Sequence, residues 1–516
     1  MKDPIRDYKL QNKALLENQP DKNTSWEDVS IPEFPVGSNA WSLVLLEAWR
    51  RGLDVTIRPN RRYTITSAHR TLNFRTNRLA TKEAGIAANI CNNKHETKEY
   101  FKKAGIATPT GRLFNTKNSD DVVTQIVDYA KQLGYPLCLK AANWSKGKGV
   151  YPGVETEQQL RKFLSVLIDE LSCKSIILEE NFEGDDFRFF VVGDKVSGVI
   201  QRLPANITGD GISTVEQLIR TKNDLRKRNP YLKNALIRVD EEVVYMISKR
   251  GYTLQSIIPA SELLYLREKS NASAGGDSID STDKVSTRSK QLAIDAIKAI
   301  PGISHGGVDI LLQNPYTEQE TGRVIEINQS AEMGLHLYPA YGDGTYPPTD
   351  IIDYYFPEEQ TDRRTWNWYF NWAAVSNLLN KNVAKSISLT PVPDTSNFIW
   401  VEVTYAGNVQ GVGFRKWIVQ QAKTFSVHGD VRNTPSGTVV LRASGRKENI
   451  LPFLKQIKSA HSPGHVESTK TRKTEPFRTT PNMSILKGAA QKSSTKPSNY
   501  LSRTRRAFRR ILFKTR

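Results

Sequence analysis

From Gly407 to Arg415 the chain reads Gly-Asn-Val-Gln-Gly-Val-Gly-Phe-Arg, and Val431-Arg432-Asn433 follows soon after. No other stretch constrains the fold as much. Three glycines let consecutive backbone N–H groups turn towards one point, and Arg415 sets a permanent fork of donors at its mouth. The arrangement predicts a small-anion site suited to phosphate. Downstream, Phe414, Ile418, Ala422 and Phe425 recur at helical spacing, so the loop delivers its anion to a helix N-terminus. Upstream, Ile399, Val401, Val403 and Tyr405 alternate with Trp400, Glu402 and Thr404, the period of a strand.

The pattern continues with strands over Val427 to Val431 and Thr438 to Ala443, joined by a Pro-Ser-Gly turn. Ile450, Leu454 and Ile457 then mark a second helix, and a poorly defined strand follows His465. Strand, helix, strand, strand, helix, strand is the order of a split βαβ, ferredoxin-like sandwich. Residues 397 to about 480 resemble the acylphosphatase family, on the run Val-Gln-Gly-Val-Gly-Phe-Arg and the later Asn. The resemblance implies that Arg415 binds the acyl-phosphate oxyanion and that Asn433 orients the attacking water.

A second group of signals lies earlier. Pro136-Leu137-Cys138-Leu139-Lys140 brings a lysine to the end of an apolar strand, and Gly147-Lys148-Gly149-Val150 follows as a basic glycine loop suited to covering phosphates. Ile176 to Glu180 reads as a strand running into Asn181-Phe182-Glu183-Gly184-Asp185-Asp186. Phe187 to Val192 and Lys195 to Arg202 form a hairpin across Gly193-Asp194. In Glu326-Ile327-Asn328 the period of two aims both polar side chains at one face. With Asp309 they make three oxygen ligands of the kind Mg²⁺ prefers.

In this order, from about Asn39 to Tyr341, the pieces resemble the ATP-grasp superfamily, in particular the ATP-grasp parts of cyanophycin synthetase and of fused glutathione synthetases. The likeness includes Asn93 to Lys98, Arg202 to Gly211 and Ser270 to Asp280. It implies that Lys94 and Lys140 contact ATP phosphates, that Glu179, Glu180, Asn181 and Phe182 hold adenine and that Asp186 binds ribose. Asp309, Glu326 and Asn328 would hold Mg²⁺, with Mn²⁺ as the alternative. Arg202, Arg267 and His336 are candidates for the acyl phosphate or the substrate carboxylate, alongside ordinary salt bridging. Relatives commonly carry a Pro soon after the metal-binding Asn; here Gln329-Ser330-Ala331-Glu332-Met333 stands instead, leaving the acceptor side of the pocket undefined.

Trp366, Trp368, Tyr369, Phe370 and Trp372 crowd together and predict a packing helix continuing through Val375 and Leu379, ended by a linker at Pro391 to Asp394. Of the net charge of +19, the last 46 residues supply +12, with thirteen Lys or Arg against Glu475 alone. That tail reads as disordered as far as Ser498 and then as a basic amphipathic helix fit for an anionic membrane or nucleic acid, or for no specific ligand. Cys91, Cys138 and Cys173 are too few and scattered for a disulfide framework or thiolate cluster, and no apolar leader or span is present, so a cytoplasmic protein is expected. The first 38 residues carry no interpretable motif.

The expected plan is mixed α/β and α+β: an N-terminal and pre-ATP-grasp region over 1–90, an ATP-grasp domain over 91–357, aromatic helix and linker over 358–396, an acylphosphatase-like sandwich over 397–480 and a basic tail over 481–516. The resemblances imply an ATP-dependent ligase joining a small-molecule carboxylate to an amine, fused to an acyl-phosphate hydrolase. Two alternatives stay open: an acylphosphatase with a regulatory nucleotide-binding module, and a binding protein anchored by its tail. The substrates and the oligomeric state are not readable from the sequence.

Overall fold

The computed structural model describes residues 40–116, 121–144, 148–317, 319–359, 367–393, 395–459 and 461–486. The N-terminal segment, Gly147, Trp366, Asp394 and the basic helix of the tail lie outside these residues. Two compact units divide the chain, the first formed by Met1–Thr361 with Asn371–Leu389 and the second by Asp362–Phe370 with Thr390–Arg516.

The first unit opens with an apolar helix, α1 (Trp41–Arg50), and the strands β1 (Asp54–Arg58), β2 (Arg62–Thr66), β3 (Thr71–Arg75) and β4 (Arg78–Leu79). They pair consecutively, and β1 also pairs with Ile387–Ser388. Helices α2 (Lys82–Asn92) and α3 (Lys94–Lys103) lead to a four-stranded sheet. Its strands are β5 (Gly111–Asn115), β6 (Leu137–Ala141), β7 (Val150–Val154) and β8 (Ser175–Glu180), in the order β5-β8-β6-β7. Ile176 and Leu178 pack on Leu137, Leu139, Ile126 and Leu160, which leaves the alternate residue Glu179 on the opposite face.

The central sheet comprises β9 (Asp185–Val192), β10 (Lys195–Leu203), β13 (Asp277–Asp280), β14 (His305–Gln313) and β15 (Thr321–Asn328), in the order β13-β10-β9-β14-β15. Phe187, Phe189, Val191, Val199, Val308, Ile310 and Ile327 share a core with Ala293, Ile294 and Ile297 of the helix Thr287–Lys298. Between β10 and β13 the chain makes a smaller lobe from β11 (Asn206–Thr208), β12 (Leu263–Tyr265) and the helices Val215–Arg228 and Glu241–Ser248, with its own apolar cluster. Among the described residues no helix is long and apolar enough to cross a membrane.

In the second unit β17 (Phe398–Asn408), β18 (His428–Asn433), β19 (Val439–Arg446), β20 (His465–Lys473) and β21 (Met483–Ile485) form one sheet, ordered β20-β17-β19-β18-β21. Phe414, Ile418 and Ala422 of the helix Phe414–Thr424, and Ile450, Phe453 and Ile457 of the helix Lys447–Ile457, cover one face. The strand after His465 is thus nine residues long, and a further strand lies at Met483. Residues 471–486 therefore belong partly to this sheet rather than to a disordered tail.

The aromatic run is also corrected. Among the described residues of the run only Trp372–Asn380 is helical, and it belongs to the first unit. Trp368 belongs to the second, where it is fully buried, bridges to Thr479 and meets the rings of Trp400 and His428. Aromatic crowding reports burial and not which body the residues join. Trp368→Ala should destabilise the second unit by about 3–5 kcal/mol. Hydrogen exchange in the full chain checks this: amides of β17 and β19 should lose protection while those of β9 and β14 keep theirs.

Candidate active sites

The polar face of the central sheet is built by register. Asp186 lies opposite Arg202, Arg188 opposite Asp309, Asp309 opposite Glu326, and Gly307 opposite Asn328. Asp309 accepts two bonds from Arg188, from Nε at 2.6 Å and Nη2 at 2.7 Å, and lies 3.0 Å from Arg202 Nη2. Arg202 Nε also donates to Asp186 Oδ1 at 3.0 Å, and Asn328 Nδ2 to Glu326 Oε1 at 3.1 Å. Burial alone would raise the pKa of Asp309, but the two guanidinium groups outweigh it and hold the carboxyl well below the usual range. Asp186 moves the other way: burial dominates, Arg202 only partly offsets it, and the Asp309 charge adds to the rise.

A lysine cluster faces the same region. The Asn93 side chain caps α3 by accepting from His95 N at 3.2 Å, which sets Lys94 in the first turn and Lys98 one turn later. Lys98 and Lys140 both hydrogen-bond the buried Glu179 carboxylate. Burial works against each charge, yet the mutual attraction keeps Glu179 below and Lys140 above its ordinary pKa. Lys94 donates to the Trp144 carbonyl at 2.6 Å, and its pKa is lowered by burial, partly offset by Glu326. Glu326 acts on both Lys94 and Lys140, so lysine cluster and sheet face form one electrostatic site.

The other residues singled out in the sequence divide. Asn181 Oδ1 accepts from Gly153 N at 2.9 Å, the Arg323 guanidinium lies 4.9 Å from the Phe182 ring centre, and Glu180 is 3.8 Å from Arg323. These three line the chain leaving β8. Arg267 is not brought to the site: it sits in the smaller lobe, bonded to Asp240 and Glu242. His336 is fully buried on the short helix Gly334–Leu337, and burial, reinforced by Arg188 and Arg202, lowers its pKa to about 3.

In the second unit the loop 407–413 runs through positive φ at Gly407, Gly411 and Gly413, and a Cβ at Gly407 would stand 2.4 Å from the His465 carbonyl. The helix that follows has no side-chain cap, so its first N–H groups stay available to a ligand. Gln410 Nε2 donates to the carbonyls of Thr434 at 3.0 Å and Thr438 at 2.7 Å, tying the loop to the turn after Asn433. Among the described residues Asn433 Oδ1 is buried without a hydrogen-bond partner.

Comparison with known proteins fits this geometry. Residues 91–211 match the RimK-like ATP-grasp domain and residues 401–482 match Acylphosphatase. The chain carries an ATP-grasp domain and an acylphosphatase domain. It is 29% identical over 320 residues to the glutathione biosynthesis bifunctional protein GshAB of Clostridium perfringens, covering 61% of this chain and 40% of that protein. Against cyanophycin synthetase of Geminocystis herdmanii it is 27% identical over 290 residues, covering 55% and 32%. The crystal structure of a bifunctional glutathione synthetase from Pasteurella multocida matches with a TM-score of 0.50 at 25% identity, covering 63% of this chain and 45% of that one. The match thus spans less than half the length of these relatives.

Three residues of these domains escaped the sequence reading. Lys98 follows Lys94 by one helical turn, and Arg188 shares a strand face with Asp186; both spacings were available as signals. Gln410, which ties the acylphosphatase loop, had none. As for a cation, among the described residues no three carboxylate, imidazole or thiolate groups converge. Asp309, Glu326 and Asn328 offer two carboxylates and an amide, an all-oxygen set fit for a hard cation. Asp309 retains lone pairs beyond those given to arginine.

His305 supplies a pH test. Its ring nitrogens meet the Tyr355 hydroxyl at 3.0 Å and the Asn77 carbonyl, and burial lowers its pKa to about 4. The unfolded chain takes up this proton as pH falls through ~6.5, the native state only near 4, so the stabilisation is complete above 6.5 and is lost on acidification. Urea titrations should show stability falling by up to about 3 kcal/mol from this group between pH 6.5 and 4. In His305→Asn that part of the slope should vanish.

Proposed function

We propose that the ATP-grasp domain is an ATP-dependent carboxylate–amine ligase and that the acylphosphatase domain hydrolyses acyl phosphates. The observation that carries the first reading is the charged sheet face, on which register sets Arg188, Arg202, Asp309, Glu326 and Asn328 together and from which Glu326 acts electrostatically on Lys94 and Lys140. Such a face is costly unless a highly charged ligand uses it. Lys94, Lys98 and Lys140 would hold ATP phosphates, with Glu180, Asn181 and Phe182 beside the adenine and Asp186 at the ribose. Asp309, Glu326 and Asn328 would hold Mg²⁺ or Mn²⁺, which when bound neutralises phosphate charge.

The substrate carboxylate takes the γ-phosphoryl group of ATP, releasing ADP. Arg188 and Arg202 steady the acyl phosphate, and an amine attacks its carbonyl to give amide and phosphate. In the acylphosphatase domain, Arg415 and the loop N–H groups hold the phosphoryl oxygens. Asn433 Oδ1 accepts a hydrogen bond from the water that attacks phosphorus, releasing carboxylate and phosphate. The unpartnered, buried Oδ1 supports this role.

Two outcomes are expected. Glu326→Gln should abolish ADP release that depends on an added carboxylate and amine, while hydrolysis of a small acyl phosphate continues. Wild-type ADP formation in that variant would refute the metal assignment. Arg415→Lys and Asn433→Ala should each lower acyl-phosphate hydrolysis by ~10²–10³ and leave the ligase reaction in place. Full activity in Arg415→Lys would exclude recognition by the planar fork.

A further inference from the structure

The outer face of the N-terminal sheet carries an unbroken row of arginines. Arg58 is the cross-strand partner of Arg62, Arg62 of Arg75, and Arg75 of Arg78, so four strands contribute one guanidinium each. Like charges placed directly opposite one another destabilise a sheet. Among the described residues Arg58 donates to Thr64 Oγ1 at 2.6 Å and Arg78 to the Leu79 carbonyl at 3.5 Å, and none of the four meets a carboxylate. Arg51 and Arg70, by contrast, are paired with Asp353 and Glu358. The row is held rigid from beneath, where Tyr63 stacks between Trp41 and Phe74 with ring centres 5.6 and 5.1 Å away.

Its position and its chemistry identify a ligand. Asn77, in the turn between Arg75 and Arg78, donates to the Ala331 carbonyl at 3.1 Å, and Arg78 shares a small cavity with Gln329, the residue after Asn328. The row therefore ends against the segment that leaves the charged site. Beside it on the same face lie Thr56, Thr64 and Asn73, short hydrogen-bonding side chains with no aromatic on which a base could stack. We infer that this row binds the acidic flank of the ligase substrate, a peptide or oligomer bearing several carboxylates, whose terminal carboxylate enters the site. The inference rests on the ligase reading for its substrate, but not for the binding itself. Four strands at ~4.8 Å spacing give a row about 14 Å long, and three same-side carboxylates of an extended peptide span about 13 Å.

The experiment measures binding of hexaglutamate to the full-length protein, with hexaglutamine and a short DNA duplex as comparisons. Hexaglutamate should bind, weaken with salt, and bind about tenfold less tightly to Arg62→Gln/Arg75→Gln, the sum expected for two exposed charge pairs. That variant should melt no lower than wild type, since relief of repulsion opposes any loss, whereas arginines serving only structure would lower the melting temperature when removed. Glu326→Gln should bind hexaglutamate as wild type does while losing ADP formation, which separates failure of this site from failure of the ligase reading. Equal affinity in wild type and the double variant, or tighter binding of the duplex than of hexaglutamate, would overturn the proposal.

Discussion

The period of two in the central sheet is the constraint on which the first unit depends. Phe187, Phe189, Val308, Ile310 and Ile327 all face the core, and Asp186, Arg188, Asp309, Glu326 and Asn328 alternate with them along the same strands. A slip of one residue in any strand would exchange the two sets, placing charge in the apolar layer and phenylalanine in the site. The apolar contacts that stabilise the fold and the charges proposed for chemistry are thus one specification. Core substitutions in β9 or β14 should therefore be felt in the charged face.

The charged face is arranged for exchange of partners. Buried ion pairs seldom stabilise a protein more than apolar side chains of similar size would. Here Lys98 and Lys140 share Glu179, Arg188 and Arg202 share Asp309, and Arg202 also meets Asp186, whereas Lys94 has a backbone carbonyl and Glu326 an amide as partner. Under the proposed ligase reading, phosphate oxygens would compete with these carboxylates for the lysines and arginines. Truncating one member leaves its partner buried and uncompensated, so alanine variants here report both chemistry and stability. Isosteric changes such as Glu326→Gln separate the two better.

Much of this was legible because it rests on local periodicity. Four strands of the central sheet, β9, β10, β14 and β15, and both helices of the acylphosphatase domain could be read from apolar spacing, and the anion loop from its three glycines. What stayed hidden depends on partners far along the chain. Trp368 and Trp372 lie four residues apart yet belong to different units, a division that no window of sequence contains. The residues of β20 are mostly exposed, so the strand after His465 read as poorly defined and its end from Thr471 as tail, because an edge strand is held by backbone pairing, here to β17, more than by its side chains. Arg267 looked like a substrate binder, but its two carboxylate partners lie more than twenty residues before it in a lobe with its own core.

On the proposed reading the two candidate sites would meet the same ligand chemistry by opposite means. In the ATP-grasp domain the anion would be met by side-chain cations most of which already have carboxylate partners, so occupancy would require rearrangement. In the acylphosphatase domain it would be met by backbone N–H groups fixed by glycine geometry together with Arg415, with Gln410 holding the loop to the turn beyond Asn433. Little there would have to move, because glycine geometry and the Gln410 bonds already fix the loop. A preorganised cradle suits hydrolysis of a small phosphate group, which needs only a held phosphoryl group and an aimed water. A site of exchangeable charges suits a reaction in which phosphate passes from one substrate to another and must be released by the groups that first held it.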